Sequence, residues 1–107
     1  MNQIELAQKF DQAMMGIYNR AWSEAKYKAT LFLSMLHQHG GLETARRLIH
    51  SKTVSDGYTA LWERKRLDLT LEALIVENDI WHPLFTEDEL NICKQRLQQY
   101  KYTPKIG

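Results

Sequence analysis

Leu67-Asp68-Leu69-Thr70-Leu71 alternates apolar and polar residues, and its reading decides whether the chain is mixed or wholly helical. Alternation with a period of two is the mark of a half-buried strand. Two observations oppose a strand here. Asp68 is placed to cap a helix starting at Leu69, and Glu72-Ala73-Leu74 just beyond are good helix formers. No second segment reads convincingly as a strand with which this one would pair. The stretch is therefore read as helical. The chain is assigned to the all-α class, as a compact irregular bundle of about five to seven short helices.

Downstream, residues 78–84 read as a turn ending at Pro83. Thr86-Glu87-Asp88-Glu89 then forms a capping box, with Thr86 at the N-cap and Glu89 three residues in, and Phe85 and Leu90 have the spacing of a hydrophobic staple. Leu90, Cys93, Leu97 and Tyr100 continue the apolar face of this last helix. Upstream, Ser55 is the expected N-cap of a helix over 57–64, with Asp56 favourably placed near its positive end. Tyr58, Leu61 and Trp62 share one face of that helix and are expected in the core. Residues 51–56 form a loop.

The helix before that loop, over 42–50, turns Leu42, Ala45, Leu48 and Ile49 inward. Gly40-Gly41 marks its start, because a glycine closes the preceding helix in a left-handed conformation at little steric cost. From Ile4 onward, Ala7, Phe10, Met14, Ile17, Ala21 and Ala25 recur at three- and four-residue steps, with Tyr18 and Trp22 widening the stripe. An unbroken helix from 4 to 36 is long for a compact domain. Residues 4–39 therefore read either as one helix or as two, with a joint within 24–28 that would let a second helix, from about 29 to 39, fold back on the first.

These elements fit one domain over residues 1–102 with a flexible tail at 103–107. A chain of 107 residues can bury roughly 60–68% of its unfolded surface and so build a core without staples. Its 44% hydrophobic content, three Trp, five Tyr and three Phe supply the packing units. No apolar run approaches the ~20 residues that span a bilayer, and no signal-peptide pattern opens the chain. Cys93 is the sole cysteine, so a cytoplasmic location and no membrane association are expected.

Chemistry is sparsely signalled. His37 and His39 face different sides of a helix, and His50 and His82 are remote in sequence, so no metal site is expected. Cys93, seven residues past Thr86 on an apolar face, lacks the electropositive setting of a catalytic thiol. Glu63, Asp68 and Glu72 are better read as partners of Arg64 or Arg66 than as an acid–base set. Phosphate-loop and dinucleotide signatures are absent, so no cofactor and no catalytic residue is assigned. Arg46, Arg47, Lys52, Arg64 and Arg66 are the candidate nucleic-acid contacts. Against them stand a net charge of +1 and a helix that offers Tyr58, Leu61 and Trp62 where base-reading side chains would sit. Sequence-specific duplex binding is not expected. Trp81, beside Pro83, is the candidate partner-binding residue if exposed, and otherwise a plug over helix ends.

The segments Gly40-Gly41-Leu42-Glu43-Thr44-Ala45-Arg46-Arg47-Leu48-Ile49, Ser55-Asp56-Gly57-Tyr58-Thr59-Ala60-Leu61-Trp62-Glu63-Arg64, Arg66 to Leu74 and Leu84 to Leu90 together resemble a recurrent pattern. It occurs in small bacterial proteins of uncharacterised role and at the ends of longer ones. The resemblance covers most of residues 18–102. It implies a bacterial helical module that serves attached or neighbouring proteins, and it transfers no activity. Such relatives often carry proline in place of Ala29, which accords with a helix joint there. The leading functional expectation is a non-enzymatic helical interaction or accessory module with a protein partner. A nucleic-acid-associated accessory protein comes second and a small enzyme third.

Replacing Thr86 with alanine removes the acceptor for a helix-end N–H. This is expected to cost about 0.5–2 kcal/mol, measured as a lower urea midpoint at constant slope.

Overall fold

The structure, a computed structural model, describes residues 2–105. Among these the chain is all-α: α1 (Gln3–Ala25), α2 (Thr30–Ile49), α3 (Asp56–Glu63), α4 (Leu71–Glu77) and α5 (Glu87–Gln99), with 3₁₀ segments at Leu67–Leu69 and Asp79–Leu84. Asn2 caps α1, accepting the Glu5 N–H at 2.8 Å. The buried stripe of α1 is Leu6, Phe10, Met14, Ile17 and Ala21. Ile4 was expected in that stripe but is 74% exposed, and Trp22, expected to widen it, is 51% exposed. At 3.6 residues per turn both lie about 120° around the helix from Phe10, whereas Leu6 lies only about 40° away. The periodic steps place the stripe correctly and its edges too generously.

The first helix ends where Lys26 adopts a left-handed conformation, φ 56°, so residues 4–39 form two helices joined at 26–29. Lys65 after α3 and Lys101 after α5 take the same conformation at their helix ends. The chain then doubles back, and α2 packs along α1. Within α2, Gly40 breaks the helix at φ 77°, ψ 171°. This is not the left-handed closing turn expected from the sequence. Its extended ψ passes the chain directly into a second helical stretch with no loop between. The orphan amide of Gly41 is satisfied by α1, where Asp11 Oδ1 accepts it at 2.6 Å. A Cβ on Gly41 would meet Asp11 Oδ1 at 2.7 Å and Asp11 Cα at 3.0 Å. One glycine is therefore required by its dihedral angles and the next by close approach of two helices.

The alternating leucines are all buried, and none is in a strand. Leu67 and Leu69 point inward from a 3₁₀ turn. The cap of the following helix is Thr70, not Asp68: its Oγ1 accepts the Ala73 N–H at 3.2 Å and donates to the Leu67 carbonyl at 2.7 Å. Asp68 instead receives two bonds from Arg66, each 3.0 Å, an interaction that competes directly with capping. Ser55 and Thr86 cap α3 and α5 as expected, and the Thr86–Glu89 box is complete in both directions. Residues 79–84, read as a turn, form a 3₁₀ segment capped by Asn78. Beyond α5, Glu77 receives Tyr102 Oη and the Lys105 N–H, the latter at 2.8 Å. The tail is thus anchored at least to Lys105, and 106–107 lie outside the described residues.

The core gathers around Phe10, whose ring meets Trp81 and Phe85 edge-on at 5.4 and 5.5 Å between centroids. At its other side Arg96 enters from α5. It donates to the carbonyls of Leu48, Ile49 and Ser51 at 2.8–3.0 Å and to Glu72 at 3.1 Å. Tyr58 Oη donates to the Arg96 carbonyl at 2.9 Å. A cation at the C-terminal end of α2 bonds carbonyls of its last turn, of which Leu48 also accepts the Ser51 N–H at 3.4 Å, and meets the negative end of its dipole. Removing one partner of a buried, hydrogen-bonded pair typically costs about 3–5 kcal/mol. Arg96→Met is expected to lose stability of that order in urea melts, far more than Arg47→Met, whose Glu43 pair is exposed.

Candidate functional site

The main apolar concave feature is a half-open cavity of about 280 Å³ between α1, the 26–29 joint, α2, α3 and residues 69–72. Ile17, Ala21, Phe32, Met35, Leu61 and Leu69 make up much of its wall. Among the polar side chains that line it, Tyr58, Thr70, Ser55 and Glu72 are already bonded within the chain. Tyr58 is held by the Arg96 carbonyl, Thr70 by Leu67 and Ala73, Ser55 by the Tyr58 amide, and Glu72 by Arg96. Burial pushes the Glu72 carboxyl above its ordinary value while Arg96 pulls it down, and burial likewise raises the Tyr58 hydroxyl. At the lip stand Lys28, Asp56 and Leu31, the last 71% exposed. Tyr27 leans over the start of α3, its hydroxyl 3.7 Å from where a Gly57 side chain would begin.

A second feature is an aromatic edge. Trp62, expected in the core with Tyr58 and Leu61, is 46% exposed. Its helical angle is right, but α3 ends one residue later and the Tyr100 ring supports it from one side, edge-on at 5.5 Å. Tyr58 and Leu61 are buried as expected.

The four candidate arginines are each engaged within the chain. Arg46 donates to the Leu84 carbonyl at 2.9 Å and lies 3.8 Å from Glu89 at the head of α5. Arg47 pairs with Glu43 at 3.2 Å. Arg64 donates to the Ala25 and Ala60 carbonyls and lies over the Tyr27 ring. Arg66 binds Glu24 and Asp68, while Lys52 is exposed in the loop after α2. Trp81 is not an exposed anchor. It is buried against Phe10, because the 3₁₀ segment carrying it folds onto α1, and it is the plug of the two readings.

Cys93 is fully buried, and burial first, then nearby Glu72, pushes its thiol up to about 12, outside the range of a reactive thiolate at neutral pH. Glu63, Asp68 and Glu72 do not converge, since Glu72 turns inward to Arg96 and Asp68 to Arg66. His50 Nε2 lies 2.7 Å from Glu89 Oε2 and His82 Nε2 lies 3.0 Å from the Ile75 carbonyl. Burial opposes ionisation of Glu89, but the Thr86 amide, His50 and Arg46 together bring its carboxyl below the ordinary value. Among the described residues no three His, Cys, Asp or Glu side chains group as a cation would need, and no helix is long and apolar enough to cross a membrane.

Sequence reasoning did not single out Arg96. A signal existed: it stands between Cys93 and Leu97, on the apolar side of α5, where a charge requires a partner. Comparison with protein families, characterised proteins and solved structures finds no match to this chain.

Arg20 and then Arg66 hold the Glu24 carboxyl down to about 2, and Arg66 holds Asp68 below its ordinary value. A carboxyl lowered on folding stabilises the fold above its unfolded pKa and loses that contribution as pH falls through the folded one. For Glu24 the window runs from 4.5 to about 2. Arg66→Gln is therefore expected to be destabilised at pH 7, with the difference from the unaltered chain shrinking as pH falls through that window. Urea midpoints at about pH 7, 4.5 and 3, spanning the carboxylate range, check it.

Proposed function

We propose that the chain is a non-enzymatic helical interaction module whose contact surface centres on Trp62. The observation that carries this reading is the placement of that indole, 46% exposed yet held against the Tyr100 ring. A large aromatic already fixed at the surface loses little freedom when a partner covers it, and tryptophan is enriched among the residues that dominate interface energies. Support also comes from the cavity, where Tyr58, Thr70 and Glu72 engage their polar atoms in bonds within the chain.

The nucleic-acid alternative through Arg46, Arg47, Lys52, Arg64 and Arg66 has less support, because the four arginines hold carboxylates or carbonyls of this chain. The reading retains the bacterial, cytoplasmic setting expected from the sequence.

The test is a pull-down from the native cell with the unaltered chain and Trp62→Ala, analysed for proteins and nucleic acids. Trp62→Ala is expected to stay folded, losing about 1 kcal/mol with its aromatic contact, and to lose a protein that the unaltered chain retains. An unchanged set of captured proteins, or retained nucleic acid alone, would defeat the reading.

A further inference from the structure

Protein interiors are close-packed, with few voids larger than a water molecule. Beside α1 that packing is interrupted by the half-open cavity of about 280 Å³, which reaches the surface at Leu31. Small residues keep it open: buried Ala21 and Ala29 stand where larger side chains would fill it. Its inner wall is mainly apolar, and the polar ends of Tyr58, Thr70 and Glu72 are engaged with the chain itself, which leaves water few of the two to four polar partners it needs there. Tyr58 and Glu72 both turn their polar ends to Arg96, and Thr70 bonds Leu67 and Ala73. Opposite charges at the lip, Lys28 and Asp56, favour neither sign of ligand.

We propose that this cavity is a binding site for a small, neutral, mainly hydrocarbon molecule about the size of one or two rings. An apolar cavity of about 150 Å³ suffices for benzene, and this one is larger. Inside the lip the wall rewards apolar contact and its one charge, Glu72, is matched by Arg96, so a charged group carried inward would be desolvated without compensation. Entry passes over exposed Leu31 and the 26–29 joint. The site is separate from the Trp62 surface and stands or falls independently of it.

The test titrates the full chain with indole as the neutral probe and indole-3-carboxylate as its charged counterpart, read by backbone amide NMR shifts. Indole is expected to give saturable shifts confined to the segments around 17–35, 55–61 and 69–72, with a dissociation constant on the order of 0.1–1 mM. The carboxylate is expected to bind about tenfold more weakly. Ala21→Leu, filling the cavity from α1, is expected to weaken indole binding about tenfold by occupying the same space. Met35→Phe fills it from α2 and decides the matter if Ala21→Leu does not fold. Absence of saturable shifts, equal binding of the carboxylate, or unchanged affinity in the folded filled variants would overturn the proposal. So would loss of a captured protein on filling the cavity without any indole binding, which would assign the space to a partner's apolar side chain.

Discussion

Arg96 ties together parts of the chain that share no continuous helix. Its guanidinium holds the last carbonyls of α2 and the first of the following loop, its charge is matched by Glu72 on α4, and its own carbonyl receives Tyr58 from α3. Four helices therefore take their positions from one side chain. A buried pair of charges is not stabilising by default, since the desolvation of both ions opposes their attraction. Here the balance is improved by three backbone carbonyls at and just beyond the end of α2, so the guanidinium bonds the backbone as well as a counter-ion.

The same node shapes the cavity. Tyr58 and Glu72 belong to both, and their polar atoms are drawn towards Arg96. What remains for the cavity is their carbon. Polarity has been concentrated in one place, leaving an apolar recess beside it. Trp62 illustrates the complementary case. It is four residues from Tyr58 on the same side of α3, but it is half exposed, with Tyr100 meeting its ring edge-on.

Local chemistry was legible in the sequence. The Thr86–Glu89 box, the Ser55 cap and the buried stripe of α1 each depend on residues within a few positions of one another. The Gly40-Gly41 break was legible in place but not in form, because its geometry is set by Asp11, 30 residues earlier. Arg96 was missed for a related reason: its carbonyl partners lie 45–48 residues away, and a carbonyl leaves no mark in a sequence. Helical periodicity gave Trp62 its angle, but angle does not fix depth near a helix end. The cavity was invisible altogether, since it is a shortage of volume shared by α1, α2, α3 and the segment that starts α4. Asp68 had two plausible local roles, and the neighbouring Arg66 selected pairing over capping.

The three lysines that end α1, α3 and α5 in left-handed backbone carry a further implication. An L-residue in that conformation costs roughly 1–2 kcal/mol through the crowding of its Cβ, and glycine does not bear that cost. All three side chains are exposed, so no packing requires lysine at 26, 65 or 101. Selection removes variants that fall below a working threshold and does not seek the most stable sequence. The corners of this fold thus hold unused evolutionary latitude, from which the chain can offset destabilising changes arising elsewhere.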